Sequence, residues 1–271
     1  MKIFIISLVV MGLLVGGAVF AQETTIEEEV TSEDLGIEDP GLLPTSPFYF
    51  FKEWGRGVRS FFTFNPIKKG ELELRFVNEK AAEAKKIHES RGDDESAVNI
   101  AIENYRKSQE KLASRLQALS ETSENPNIDK LLDKIAERVI LHEKLFDEIE
   151  LKVKAKIEVR DGIASIRERI KVTIGRIAEK DEPEKFKIRL ENVFKEVKGG
   201  ALKHVRSVEF LDRVDGILSE EKRESLSKLR DKLALELKDR LEIEVNRDGV
   251  EKLKARIKNI AGDGIDRTVL F

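Results

Sequence analysis

The residues that most often do chemistry in proteins are few and scattered in this chain. The three histidines, His88, His142 and His204, are far apart, and none has a second histidine at the spacing of a metal site. His142 and Glu143 begin a zinc-protease helix motif, but Phe146 stands where the second zinc ligand would be. His88 and His142 could still meet as a metal pair between helices, although polar residues that set helix register explain both more simply. We therefore predict no metal site.

Other catalytic motifs are also missing from the sequence. The chain has no cysteine, which excludes thiol nucleophiles, thiolate zinc sites and disulfides. The stretch from Gly55 to Ser60 has the outline of a phosphate-binding loop, but no strand precedes it. Asp263 and Asp266 could bind calcium, but their loop has too few ligands for a proper site. The sequence therefore predicts no enzyme, no catalytic residue and no cofactor.

The composition of the chain excludes some classes of protein. The 271 residues include 49 Lys and Arg against 52 Asp and Glu, with the two signs interspersed, so no basic cluster predicts nucleic-acid binding. A hydrophobic content of 40% is enough for a sizeable core, which excludes disorder along the whole chain.

The first residues predict export. Lys2 precedes an uncharged run from Ile3 to Gln22, and the end of this run fits a signal-peptidase site. We expect a signal peptide over residues 1–21 and an extracytoplasmic protein, in the periplasm, at the cell surface or secreted. The run is also long enough to span a membrane, so an uncleaved N-terminal anchor stays open. Residues 22–39 then hold eight acidic and no basic residues, which predicts an acidic disordered tether over residues 22–40.

An aromatic cluster follows this tether, with eight aromatic residues between Phe48 and Phe64. Ser46 and Pro47 predict a helix start, and apolar residues then recur at helical spacing on one face. The favoured interpretation is a helix that fills the end of its own bundle with rings. The alternative is an interfacial membrane helix or a partner-docking patch. The candidate interaction patch consists of Phe48, Tyr49, Phe51, Trp54, Phe61 and Phe62.

The remainder of the chain predicts long helices. Helix starts are expected after Asn65, Asp94 and Asn125, and Gly92 is expected to end one helix in a left-handed conformation. Small residues such as Gly70 would let a neighbouring helix approach closely. Residues 151–160 alternate with a strand rhythm, but their Ala, Lys and Glu content favours helix. One heptad-like seam is Ile128, Leu132, Ile135, Val139, His142, Phe146, Ile149 and Val153.

These patterns predict an all-α fold, an elongated antiparallel helical bundle with coiled-coil-like seams. We expect an N-terminal helical module with the aromatic capping helix over residues 41–160, a C-terminal helical module over 161–261 and a tail over 262–271.

The opening of the body also resembles a known family. The residues Leu43-Pro44-Thr-Ser46-Pro47-Phe48-Tyr49, then Phe62-Thr-Phe64-Asn65-Pro66, then Lys69-Gly-Glu71-Leu72-Glu-Leu74-Arg75, resemble an uncharacterised family of exported helical domains found in bacteria and archaea. The usual form has Leu where Phe48 stands and Asp where Asn65 stands. The resemblance implies a signal peptide, a helical bundle and no established activity.

The expected function is therefore that of a non-enzymatic extracytoplasmic interaction or structural protein, such as a scaffold, adaptor or chaperone-like binder at the cell envelope. The alternative is a membrane-surface protein anchored by the aromatic helix over residues 47–64, and a metal-binding envelope protein is a distant third. The expected partners are an unknown envelope protein or a membrane surface, and the helical seams also offer a route to self-association.

Overall fold

The computed structural model describes residues 29–152, 157–197 and 201–243. The signal peptide or anchor predicted for residues 1–21 and the tail predicted for residues 262–271 lie outside the described residues. The described residues are all-helical and contain no strand, as predicted. None of their helices is both long enough and apolar enough to cross a membrane.

Eight helices make up the described chain. They are α1 (Tyr49–Phe61), α2 (Pro66–Arg91), α3 (Glu95–Ala118), α4 (Pro126–Lys152), α5 (Ile157–Lys180), α6 (Pro183–Glu196), α7 (Ala201–Asp215) and α8 (Glu220–Ile243). The chain is therefore helical on both sides of residues 153–156, within the stretch of residues 151–160 whose alternation made helix and strand hard to tell apart from the sequence.

The predicted start signals operate at two long helices. The Asn65 side chain accepts a hydrogen bond from the Lys68 amide at 3.0 Å at the start of α2, and Asp94 caps α3 in the same way. Two details differ from expectation. Helix α1 begins at Tyr49 without a side-chain cap, because Ser46 starts a turn ahead of it rather than the helix itself. Gly92 follows α2 with φ of -57°, so the expected left-handed ending is wrong.

Four long helices surround a shared apolar core. Helix α2 contacts α3 and α4, and α5 contacts the same two, so each of the four has two neighbours among them. Helix α6 contacts α4 and α5, whereas α1 contacts α2. The apolar positions of the α4 seam from residue 128 to 149 are all buried. In α3, Leu112 and Leu116 are buried, whereas Arg115 between them is exposed.

A small residue lets two of these helices approach closely, as predicted. A Cβ atom placed on Gly70 of α2 would lie 2.8 Å from Cδ2 of Leu131 in α4. That separation is shorter than a carbon–carbon contact allows, so a larger residue at position 70 would force the Leu131 side chain to move.

Residues 29–40 differ from the disordered tether that we expected over residues 22–40. Val30 and Leu35 are buried, and the Val30 amide donates to Oε2 of Glu148 in α4 at 3.1 Å. Arg138 of α4 donates to the backbone carbonyl of Asp34. Two apolar side chains and these polar contacts hold the segment on α4 despite its acidic composition. The rest of the predicted tether, residues 22–28, lies outside the described residues.

The described residues cluster into two units. One comprises residues 29–197 and 211–227, and the other comprises residues 201–210 and 228–243. The module boundary that we expected between residues 160 and 161 falls inside α5, which packs on α3 and α4. In the second unit, Phe210, Leu229 and Leu233 are buried, and Nδ1 of His204 lies 3.4 Å from Glu236.

Candidate interaction surface on helix α1

The most unusual surface of the described chain is the outer side of α1 and its flanks. Seven aromatic rings there are 57–81% exposed, and Val58 between them is 37% exposed. The rings of Phe61 and Phe62 pack edge to face with their centroids 5.3 Å apart. We call this surface the aromatic face, and it consists of Phe48, Phe50, Phe51, Trp54, Val58, Phe61, Phe62 and Phe64.

The aromatic residues within α1 form one continuous arc of the helix surface. Successive residues of a helix are about 100° apart around its axis, so Phe50 and Phe51 mark the two edges of an arc of roughly 100°. Trp54, Val58 and Phe61 fall between these edges. This arc contains no charged residue. The outer side of α1 is therefore an uninterrupted apolar ridge.

The opposite side of α1 is polar and packs on α2. The three α1 residues Tyr49, Arg56 and Ser60 fall within a narrow arc, and Tyr49 and Arg56 are buried. Oγ of Ser60 donates to Oε1 of Glu73 in α2 at 2.9 Å. Beside this contact, Tyr49 and Arg56 join five charged residues in what we call the polar network. It consists of Tyr49, Lys52, Glu53 and Arg56 of α1 and Glu79, Lys80 and Glu83 of α2.

Glu83 is the centre of this network and is fully buried. One of its oxygens lies 2.8 Å from Nη2 of Arg56 and 2.6 Å from Nζ of Lys52, and the phenol of Tyr49 donates to the other. Nη2 of Arg56 also donates to Glu79 at 2.7 Å. A buried carboxylate is tolerated because these charged and hydrogen-bonding partners replace its water shell.

The charges of the polar network balance, with three basic and three acidic side chains. Burial opposes the charge of Arg56, but Glu83 and Glu79 outweigh it and hold the pKa of Arg56 above its ordinary value. Burial also opposes the charge of Glu53, yet Lys80 and Arg56 lower the pKa of Glu53 below its ordinary value. Both residues therefore stay charged near neutral pH.

This geometry reverses the packing that we expected for α1. The favoured interpretation had the helix fill the end of its bundle with rings, whereas α1 packs through its charged side and exposes its rings. The reason is that the ion pairs to α2 lie on the side of α1 that the aromatic arc leaves free. The helix is thus oriented by its polar network, and the aromatic face points away from α2.

The structure brings five of the six predicted patch residues together on this surface: Phe48, Phe51, Trp54, Phe61 and Phe62. Tyr49 is a correction, because its ring is buried and its hydroxyl belongs to the polar network. The prediction missed Phe50 and Phe64, which the same aromatic-rich stretch could have supplied. It also missed the polar network, whose signal is the spacing of Tyr49, Lys52 and Arg56 along one helix side.

The histidines that were candidate metal ligands have separate environments. His142 is fully buried, packs edge to face on Tyr105 with ring centroids 5.4 Å apart, and its ring nitrogens have no hydrogen-bond partner within the described part of the chain. Burial lowers the pKa of His142 to about 3. His88 is half-buried near Lys152. Among the described residues, no group of three His, Asp or Glu side chains could hold a metal ion, and Asp263 and Asp266 lie outside that range.

The aromatic face lies within a region of recognisable similarity. Residues 41–173 match the sequence model of a family described as a domain of unknown function (DUF5667). This region, slightly less than half of the chain, runs from just before α1 into α5 and contains both the aromatic face and the polar network. The match fits the resemblance to an uncharacterised family. No curated protein and no solved structure matches the chain.

Proposed function

We propose that this protein is a non-enzymatic, extracytoplasmic helical interaction protein that uses the aromatic face of α1 to engage a partner at the cell envelope. The exposure of the aromatic face is the observation that carries this proposal. Export rests on the N-terminal apolar run, and the absence of enzymatic activity rests on the lack of a catalytic constellation in the sequence.

The size of the aromatic face supports a binding role. At about 200 Å² per aromatic side chain, its seven rings expose on the order of 900 Å². The largest apolar patch of a typical monomer is roughly 300–600 Å². One side of a standard protein interface buries about 800 Å², so this surface is large enough for a stable contact.

The rest of the chain then serves as a scaffold for α1. We propose that α2 to α5 form an antiparallel bundle with coiled-coil-like seams, which the short α2–α3 turn and the mutual contacts of the four helices support. The polar network fixes α1 on α2 with its rings outward. A docking or adaptor role fits this ridge-like surface better than a chaperone role, since a chaperone-like binder would present a concave apolar surface.

The proposal is tested by sedimenting the exported chain, residues 22–271, with isolated native envelopes. The first variant combines Phe51→Ser and Phe61→Ser, which remove two rings of the aromatic face and keep Trp54. The control combines Ile100→Ser and Ile188→Ser, which remove exposed apolar side chains of α3 and α6. We expect the wild type and the control to sediment with envelopes and the ring variant to stay in solution. Equal sedimentation of all three chains would contradict the proposal.

A further inference from the structure

The composition of the aromatic face distinguishes between kinds of partner. Its rings are phenylalanines except for Trp54, and the arc offers no hydrogen-bonding group other than the indole. Protein interfaces concentrate their binding energy in Trp, Tyr and Arg, whose polar ends pair with the partner. Phenylalanine rings need only an apolar medium. The one tyrosine of the stretch, Tyr49, faces inward to the polar network.

The charged residues that follow Trp54 along the aromatic stretch are of one sign, whereas Glu53 before it pairs with Arg56 and Lys80. Residues 54–70 include four Lys or Arg residues and no Asp or Glu, although the whole chain carries a net charge of -3. Arg56 is committed to the polar network, whereas Arg59 and Lys68 are exposed next to the rings. An apolar ridge flanked by exposed cations complements a bilayer surface, where acyl chains lie beneath anionic headgroups.

The polar network makes α1 ready for such a surface without further folding. Interfacial peptides must usually order a helix as they bind, which reduces their affinity. Here α1 is already helical, and its charged side is bound to α2 rather than to water. Its 13 residues give a rod of about 20 Å that can lie in the plane of the interface.

We infer that the aromatic face of α1 binds the interfacial region of a lipid bilayer that contains anionic lipids, with Trp54 and its neighbouring phenylalanines inserted and Arg59 and Lys68 at the headgroups. The inference rests on the proposed function and names its partner.

Protein-free vesicles test this inference directly. The exported chain, residues 22–271, is mixed with phosphatidylcholine vesicles that contain or lack phosphatidylglycerol, and binding is measured by co-sedimentation and by the emission of Trp54, the only tryptophan. The ring variant with Phe51→Ser and Phe61→Ser is compared with the control that carries Ile100→Ser and Ile188→Ser. All variants keep the same N-terminus, and circular dichroism confirms that each is folded.

We expect the wild type and the control to bind anionic vesicles with a blue shift of Trp54 emission. The ring variant should lose more than about tenfold in partition coefficient, because two exposed rings no longer leave water. A charge-reversal variant, Arg59→Glu with Lys68→Glu, should weaken binding to phosphatidylglycerol vesicles and leave binding to phosphatidylcholine vesicles nearly unchanged. High salt should likewise weaken wild-type binding to phosphatidylglycerol vesicles more than binding to phosphatidylcholine vesicles.

Three outcomes would overturn the inference. The first is equal vesicle binding by the wild type and the ring variant. The second is sedimentation with native envelopes that depends on the rings, combined with no binding to protein-free vesicles, which would assign the surface to an envelope protein and leave the proposed function standing. The third is a ring-dependent dimer in analytical ultracentrifugation without vesicle binding, which would assign the surface to a second copy of the chain.

Discussion

Replacing Arg56 with alanine should detach α1 from α2. The guanidinium is 8% exposed and donates to Glu79 and to the fully buried Glu83, at 2.7 and 2.8 Å. Without it, the polar network keeps two bases, Lys52 and Lys80, for three acids. Glu83 then keeps only Lys52 and Lys80 as cationic partners, and Glu79 keeps only the exposed Arg75, which lies outside the network.

The magnitude follows from the remaining partners of Glu83. Removing one member of a buried ion pair typically lowers the free energy of unfolding by about 3–5 kcal/mol, because the other charge stays buried. Nζ of Lys52 remains 2.6 Å from Glu83 and compensates in part. We therefore expect Arg56→Ala to reduce the free energy of unfolding by about 3 kcal/mol. The control Arg59→Ala, at an exposed position of the same helix, should stay within about 0.5 kcal/mol of the wild type.

Urea unfolding with two probes measures this effect. Far-ultraviolet circular dichroism follows all helices, and the fluorescence anisotropy of Trp54 follows the attachment of α1, because an exposed indole moves more freely once its helix is released. In Arg56→Ala the Trp54 transition should move to lower urea than the circular dichroism transition, since α1 loses its main attachment first. Adding Glu83→Gln restores the charge balance of the network. The double variant should therefore lose less free energy of unfolding than the two single variants lose together, by more than about 1 kcal/mol.

An Arg56→Ala protein that unfolds within about 0.5 kcal/mol of the wild type, with both probes giving the same transition, would show that Arg56 does not hold α1 on α2. Strict additivity of Arg56→Ala and Glu83→Gln would contradict this attachment as well, because it would mean that the two side chains do not interact in solution.

Three further predictions concern the core and its polar contacts. Gly70→Ala should destabilise the protein by about 1–3 kcal/mol through overlap with Leu131, whereas Gly57→Ala, which meets open space, should stabilise it by up to about 1 kcal/mol; urea midpoints compare the two. Because burial lowers the pKa of His142 to about 3, the unfolded chain binds more protons between that pH and about 6.5, so the free energy of unfolding should decrease as the pH is lowered through this window, by up to roughly 1.4 kcal/mol per unit. His142→Leu should remove this part of the slope in unfolding curves measured from pH 4 to 7, roughly the window in which the two pKa values differ. Arg189→Ala should lower the free energy of unfolding by about 3–5 kcal/mol, since this buried guanidinium pairs with the fully buried Asp181 after α5. An unchanged midpoint in thermal or urea unfolding would contradict the pairing.

Much of the fold follows from sequence periodicity. Helices α2, α3 and α4 begin where asparagine or aspartate caps predict, and the α4 seam is buried because apolar residues repeat at helical spacing. The position of residues 29–40 does not follow from composition. Their eight-acid context predicts a solvated tether, but two apolar side chains and the contact with Glu148 hold the segment on α4.

The orientation of α1 shows why a candidate site is harder to predict than a helix. Periodicity identifies the aromatic face, and apolar faces usually turn inward. The decisive contacts, however, join Arg56 to Glu83, which is 27 residues later on another helix. Such ion pairs depend on tertiary placement, which local spacing does not encode, so the sequence predicts the surface and misses the direction in which it points.

The most direct test of the outward orientation of α1 is acrylamide quenching of Trp54 in the monomeric chain of residues 22–271. Trp54 is the single tryptophan and is 71% exposed on the aromatic face, so its emission reports on the orientation of α1 without any substitution. We expect emission typical of hydrated indole and quenching nearly as efficient as that of a free tryptophan derivative. Blue-shifted emission with strong protection from acrylamide in the folded monomer would show that the rings are buried and would contradict this orientation.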